Sequence, residues 1–243
     1  MRCPDRLRLA SASALALSLA PAITSTVAAS PSDEPGGYII NGTRTSVGDY
    51  PTTVGLSLGG ATCTGTLIHP EWILTAAHCV LPELLGVSTQ QQVTDRTSVH
   101  FDTVELPGGM RVLAADTIPN PDFGDLGDND IGLIRLASPI TDRMVTPVNR
   151  DASNLAIGTP VTMVGFGMTN RNIPSSSGTQ FELLDRPVQS CAQIGFSDAR
   201  IICFGPSVCP GDSGGPAFID VDGVQYVAGI ASFADQQCTA FGG

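Results

Sequence analysis

Three features of the sequence predict an all-β fold. Short apolar runs recur along the chain between Gly, Pro, Asn and Asp residues, no helical periodicity is sustained after residue 29, and Asp222-Gly223 stands between two runs as a hairpin turn. The runs are Thr53 to Leu58, Gly65 to Ile68, Ser98 to Leu106, Ile131 to Leu136, Pro160 to Gly165, Pro216 to Ile219 and Val224 to Ile230. The roughly 205 residues from Ile39 to Gly243 are enough to bury sizeable cores.

The beginning of the chain reads differently. Arg2, Arg6 and Arg8 precede an apolar stretch from Leu9 to Ala20, and small residues follow at Ala20-Pro21-Ala22 and Val27-Ala28-Ala29. This is the pattern of a cleaved signal peptide over residues 1–29, and it predicts a secreted protein. The stretch is too short to span a bilayer and no later segment is long enough, so no membrane association is expected. Residues 30–38, Ser-Pro-Ser-Asp-Glu-Pro-Gly-Gly-Tyr, form a polar leader without a core, read as a short propeptide.

Composition narrows the partners. The net charge of −11 argues against nucleic acid and anionic lipid, which need a positive face. All twelve basic residues are arginine, which resembles the coding habit of high-G+C bacteria. Of seven cysteines the signal removes Cys3, leaving an even set suited to an oxidising compartment. Their pairing is open on sequence alone. A metal site is the competing reading of clustered cysteines, but no C-x-x-C pair occurs, and no metal or other cofactor is expected. Asp122, Asp125, Asp128 and Asp130 crowd one loop; a Ca²⁺ site there would need about six oxygens, so solvated acids are the expectation.

The densest chemical signal is Gly211-Asp212-Ser213-Gly214-Gly215-Pro216, with Thr75-Ala76-Ala77-His78-Cys79 upstream. A serine hydroxyl attacks an acyl carbon when a base takes its proton and donors meet the charge on the carbonyl oxygen. Gly211 permits a sharp turn that lets the N–H groups of Gly211 and Ser213 converge. The base must come from His69, His78 or His100. His69 precedes Pro70 and His100 lies in a strand-like run, whereas His78 follows small residues that permit close packing and precedes a cysteine that could pin it. Asp130, directly before the apolar run Ile131 to Leu136, is drawn inward and needs a partner such as an imidazole N–H. Asp128 is the nearby competitor, read as a solvated loop acid.

These residues, in the order His, Asp, Ser, resemble the trypsin/chymotrypsin-like serine proteases. The resemblance covers Ile39 to Gly243 and implies an endopeptidase with Ser213 as nucleophile, His78 as general base then acid, and Asp130 fixing the imidazole. It implies two six-stranded antiparallel β-barrels, the first over about 39–148 and the second over about 149–243, with the active site in the cleft between them. It selects the disulfides Cys63 with Cys79, Cys191 with Cys203, and Cys209 with Cys238. Ser232 is expected to hydrogen-bond Asp130, and the Ser232-Phe233-Ala234 backbone to pair with substrate as an added strand.

Activation and specificity follow from the same resemblance. Ile39-Ile40-Asn41-Gly42 resembles the segment exposed when family zymogens are cleaved; the freed Ile39 α-amino group would pair with Asp212 and order Gly211. Family activation sites usually follow Arg or Lys. Here Tyr38 precedes Ile39, so cleavage by a chymotrypsin-like enzyme is expected. Ser207 occupies the floor of the pocket for the residue before the scissile bond and supplies no carboxylate for a cationic side chain. With Val208 and Ala234 adding bulk, an apolar or aromatic side chain is expected, on protein or peptide substrates cleaved by a monomer. After Cys238 the family continues through a further strand and a C-terminal helix, and both are expected to be missing from a sequence that stops at Gly243. The alternative is a non-catalytic binding or structural protein on the same fold, inactivated by that shortening. An esterase is more distant: Gly-Asp-Ser-Gly-Gly fits a G-x-S-x-G elbow, but no βαβ pattern surrounds it.

Overall fold

The protein is described from a computed structural model, which defines residues 42–170 and 172–243. The signal peptide, the leader and Ile39 lie outside the described residues. Eleven strands and one α-helix are defined within them, with four short 3-10 turns.

The first half is a closed barrel. Its strands are β2 (Thr53–Leu58), β3 (Thr62–His69), β4 (Trp72–Thr75), β5 (Thr97–Phe101), β6 (Met110–Pro119) and β7 (Gly132–Leu136), hydrogen-bonded in the order β2-β3-β4-β7-β6-β5. Antiparallel pairing of Leu56 with Val99 and Gly55 with His100 closes the ring. Period-two alternation sends Val54, Leu56, Ile134 and Leu136 inward, where they meet Leu67, Ile73, Val99 and Phe101 in one core. The sequence pattern carries the run from Ser98 on to Leu106, but β5 stops at Phe101 because Asp102 turns to a φ of 54°. The helix α1 (Gln90–Arg96) is an addition to the all-β expectation. Thr89 caps it by accepting from the Gln92 N–H, and Val93 packs into the barrel core.

The second half is a five-stranded antiparallel sheet of β1 (Thr43–Arg44), β8 (Pro160–Gly165), β9 (Phe181–Pro187), β10 (Pro216–Val221) and β11 (Val224–Ile230), ordered β1-β9-β8-β10-β11. Val161, Met163, Phe181, Leu183, Phe204, Ala217 and Ile219 form its core. Asp222 and Gly223 both take positive φ, 54° and 80°, which suits the twist of the β10–β11 hairpin. One detail departs from the sequence reading: β1 joins this sheet, not the first barrel, because its partner is the edge of β9 through Thr43 opposite Glu182. Among the described residues the sheet has five regular strands. Gly242 makes isolated antiparallel bridges to Phe204 and Ala234, and Gly205 and Pro206 beside them deny that run a regular ladder.

The halves meet through specific contacts. Tyr50 stacks on Phe218 at 6.1 Å, and its hydroxyl donates to Glu182; burial and that acid hold the phenol above its ordinary pKa. Val148 bridges Val227 in parallel.

Candidate active site

His78 opens a short 3-10 turn directly after β4. Ala76 and Ala77 before it are fully buried, so small side chains let the turn sit against the barrel. The Cys63–Cys79 disulfide fastens the turn to β3. Asp130 lies before β7 and is 5% exposed.

The two side chains meet in a closed arrangement. The His78 backbone N–H donates to Asp130 Oδ1 at 2.9 Å, and His78 Nδ1 lies 2.7 Å from Oδ2. A carboxylate only accepts, so Nδ1 carries the hydrogen and the lone pair of the neutral ring is left on Nε2. The Ser232 hydroxyl adds a third donor to Oδ2 at 2.6 Å and itself accepts from the Gly127 N–H at 2.9 Å. Burial works to raise the Asp130 carboxyl, but the His78 ring, the Ser232 hydroxyl and the His78 N–H hold it below its ordinary value.

Ser213 sits on a turn built from main-chain bonds. Asp212 N–H donates to Cys209 C=O at 2.9 Å, Gly215 N–H to Asp212 C=O at 2.7 Å, and Thr64 N–H to Ser213 C=O at 2.8 Å. Gly211 takes a φ of 101° and Gly214 of 78°; a Cβ on Gly214 would fall 2.1 Å from Thr75 Oγ1. The N–H groups of Gly211 and Ser213 have no partner among the described residues. His78 and Ser213 line one cleft of about 710 Å³, with no hydrogen bond between them among the described residues.

Asp212 points away from the cleft into the second half. It is fully buried, accepts from Gly167 N–H at 2.7 Å and Cys209 N–H at 2.9 Å, and meets no cation among the described residues. Burial pushes its carboxyl up to about 7, which those two N–H groups offset in part.

The cleft walls are largely apolar. Leu81, Leu84, Phe123 and Leu126 contribute from the first half, and Val208, Phe233 and Ala234 from the second. Phe233 stacks on Phe196 with centroids 4.7 Å apart. Ser207 does not line the cleft: it is fully buried, and its Oγ lacks a partner among the described residues. A Cβ on Gly242 would come within 2.6 Å of that Oγ and 3.0 Å of Val208 Cγ2, so Gly242 closes over Ser207.

Two contributors escaped the sequence reading. Thr64 Oγ1 donates to Gly211 C=O at 2.9 Å and accepts from Phe166 N–H at 3.0 Å, so it fixes the plane of the Gly211 peptide. Its signal was its place beside Cys63, whose disulfide carries β3 to the His78 turn. Asp235 is the other: its carboxylate accepts from the N–H groups of Gln237, Ala240 and Phe241 beside the cleft wall.

The three disulfides join Cys63 to Cys79, Cys191 to Cys203 and Cys209 to Cys238, the pairs implied by the family resemblance. The proximity of Cys63, Cys79 and His78 is not a metal centre, because both sulfurs are consumed in a disulfide and offer no thiolate. Of the crowded acids, Asp130 is committed to His78, and Asp128 pairs with Arg200 at 3.2 Å.

Comparison with known proteins agrees with this architecture. Residues 39–242 match the family model for trypsin. The chain is 30% identical over 210 residues to serine protease SP24D of Anopheles gambiae, covering 84% of this chain and 74% of that protein. It is 32% identical over 190 residues to trypsin of Sus scrofa, covering 73% and 78% respectively. Serine protease SSP1 of Scolopendra subspinipes is 31% identical over 211 residues, 80% of this chain and 72% of that one. With a closed barrel, a second antiparallel sheet and a family match spanning both, the chain belongs to the trypsin family of serine proteases.

Proposed function

We propose that the chain is a secreted serine endopeptidase that cleaves peptide bonds through an acyl-enzyme on Ser213. The observation that carries this reading is the His78 ring held by Asp130 in one tautomer, on the same cleft as Ser213. His78 Nε2 takes the Ser213 Oγ proton as Oγ bonds to the substrate carbonyl carbon. The carbonyl oxygen becomes an oxyanion and accepts from the unpaired N–H groups of Gly211 and Ser213. Asp130, kept ionised by its three donors, stabilises the imidazolium. His78 then gives its proton to the leaving amine, the C–N bond breaks, and water repeats the sequence to free the acid.

Substrate geometry follows from the cleft edge. Phe233 N–H and C=O are bonded to Gly243, while Ser232 C=O and both main-chain groups of Ala234 have no partner among the described residues. Such alternation is that of a strand with one open edge, which an extended peptide can pair. Apolar walls at Val208, Phe233 and Ala234 support an apolar or aromatic residue before the scissile bond.

Asp212 supports activation by cleavage before Ile39. A buried carboxylate without a described counterion is a site for the new α-amino group, and pairing would order the Gly211 turn. The three disulfides support an oxidising, extracellular setting.

A fluorophosphonate, which reacts quickly only with an activated serine, tests the reading. The secreted chain is expected to begin at Ile39 and to be labelled on Ser213, with labelling abolished by Ser213→Ala. A chain that begins at Ile39 and stays unlabelled would sink the protease reading in favour of a non-catalytic binding protein.

A further inference from the structure

Residues 235–241 form an irregular return between the cleft wall and the run Phe241–Gly243, yet they are tightly bonded. Asp235 Oδ1 accepts from the N–H groups of Ala240 at 2.8 Å and Phe241 at 3.2 Å, and Oδ2 accepts from Gln237 N–H at 3.1 Å. Its own N–H donates to Phe241 C=O at 3.1 Å, and its C=O accepts from Cys238 N–H at 2.9 Å. One residue thus closes the return from its side chain, its donor and its acceptor. Burial works to raise the Asp235 carboxyl, but the surrounding backbone N–H groups hold it below its ordinary value, so it stays an acceptor. The far side is fixed by the Cys209–Cys238 disulfide, with Cys238 at a φ of 59°.

The return sets a register. Gly242 bridges Ala234 on one side and Phe204 on the other. Gly243 N–H donates to Phe233 C=O at 3.0 Å, and Gly243 C=O accepts from Ser232 N–H at 2.8 Å and Phe233 N–H at 3.0 Å. These bonds occupy one edge of Ser232–Ala234 and turn the Ala234 amide groups toward the other. A shift of one residue in Phe241–Gly243 would reverse which groups face the cleft.

We propose that Asp235 is a positioning residue for substrate: by closing the 235–241 return it locks Phe241–Gly243 in register beside Ser232–Ala234 and so holds the Ala234 amide ready for an extended peptide. This rests on the reading of Ser232–Ala234 as the substrate strand. Asp235 acts through the backbone, and its effect grows with the length of substrate upstream of the scissile bond. A single-residue ester ends near Ser232, whereas a tetrapeptide reaches Ala234.

The test compares Asp235→Ala and Asp235→Asn on a single-residue ester and on a tetrapeptide anilide with the same residue before the scissile bond. Asp235→Ala is expected to raise KM for the tetrapeptide about tenfold, the loss of one or two backbone hydrogen bonds, with kcat changing far less and the ester KM rising several-fold less. Asp235→Asn keeps the oxygen that serves Ala240 and Phe241 and is expected to restore most of the affinity. Equal effects on both substrates, or on kcat alone, overturn the proposal, as does an Asn variant no better than Ala. Calorimetric titration of the tetrapeptide into Ser213→Ala, with and without Asp235→Asn or Asp235→Ala, reads the same order without catalysis. If the unsubstituted chain hydrolyses neither substrate, the protease reading fails, and this titration alone decides the role of Asp235. Should Asp235→Ala not fold, Asp235→Ser, whose hydroxyl is too short to serve both Ala240 and Phe241, takes its place: an unchanged tetrapeptide KM and affinity overturn the proposal, and a selective rise in KM sustains it.

Discussion

Asp130 receives three donors on two oxygens, and no neutral side chain can take its place without turning one of them away. In Asp130→Asn the amide nitrogen must face a donor, either the His78 ring or the backbone N–H. Facing the ring it donates to Nδ1, which flips the tautomer and removes the free Nε2 lone pair. The expected result is a fall in kcat of about 10⁴-fold at neutral pH with KM little changed; a loss under tenfold would show that Asp130 does not set the tautomer. Residues such as His78 and Ser213 are legible in sequence because their chemistry constrains their immediate neighbours: small residues before the histidine, glycines around the serine. Thr64 and Asp235 are not. Thr64 serves a carbonyl 147 residues away, and Asp235 serves main-chain groups whose positions exist only once the return has formed.

Among elements, the His78 turn owes its place to β3. The Cys63–Cys79 link closes a loop of sequence separation 16 and holds the turn beside the barrel. Replacing both cysteines by alanine is expected to lower stability by about 3 kcal/mol, read as a lower urea midpoint, and to slow fluorophosphonate labelling below that midpoint. Unchanged labelling would mean that packing of Ala76 and Ala77 alone holds His78. Strands with alternation and clear Gly or Pro punctuation, such as β2, β8 and β11, were readable to the residue. β6 was not, because Ala114-Ala115-Asp116 interrupts its apolar pattern at a bulge where the register shifts. α1 was missed because two turns of helix carry too few apolar positions to show a period; its stability comes from the Thr89 cap and the burial of Val93.

For the whole molecule, the buried carboxylate of Asp212 links stability to pH. Its carboxyl is raised from 3.8 to about 7, so the native state holds a proton that the unfolded chain releases in that window. Its contribution is fully present below 3.8 and is lost as pH rises through about 7, a swing on the order of 4 kcal/mol. The unprocessed chain is therefore expected to resist urea less at pH 8 than at pH 5. On the proposed activation, cleavage before Ile39 would supply a cation that favours the ionised form, and the processed chain is then expected to lose much less over the same interval. Equal losses in both forms would show that the new amino group does not reach Asp212. The strand β1 has a different consequence, one of timing. A chain made from its first residue onward has all six barrel strands available before β9 is synthesised, while β1, which precedes them, has no edge to join until then. During that interval β1 is a tether on a finished barrel. Its docking is a stitch that waits on β9, ahead of the contacts that Phe218 and Val227 make later in the chain, and a chaperone gripping the chain just ahead of residue 42 would delay that stitch while leaving the barrel free to form.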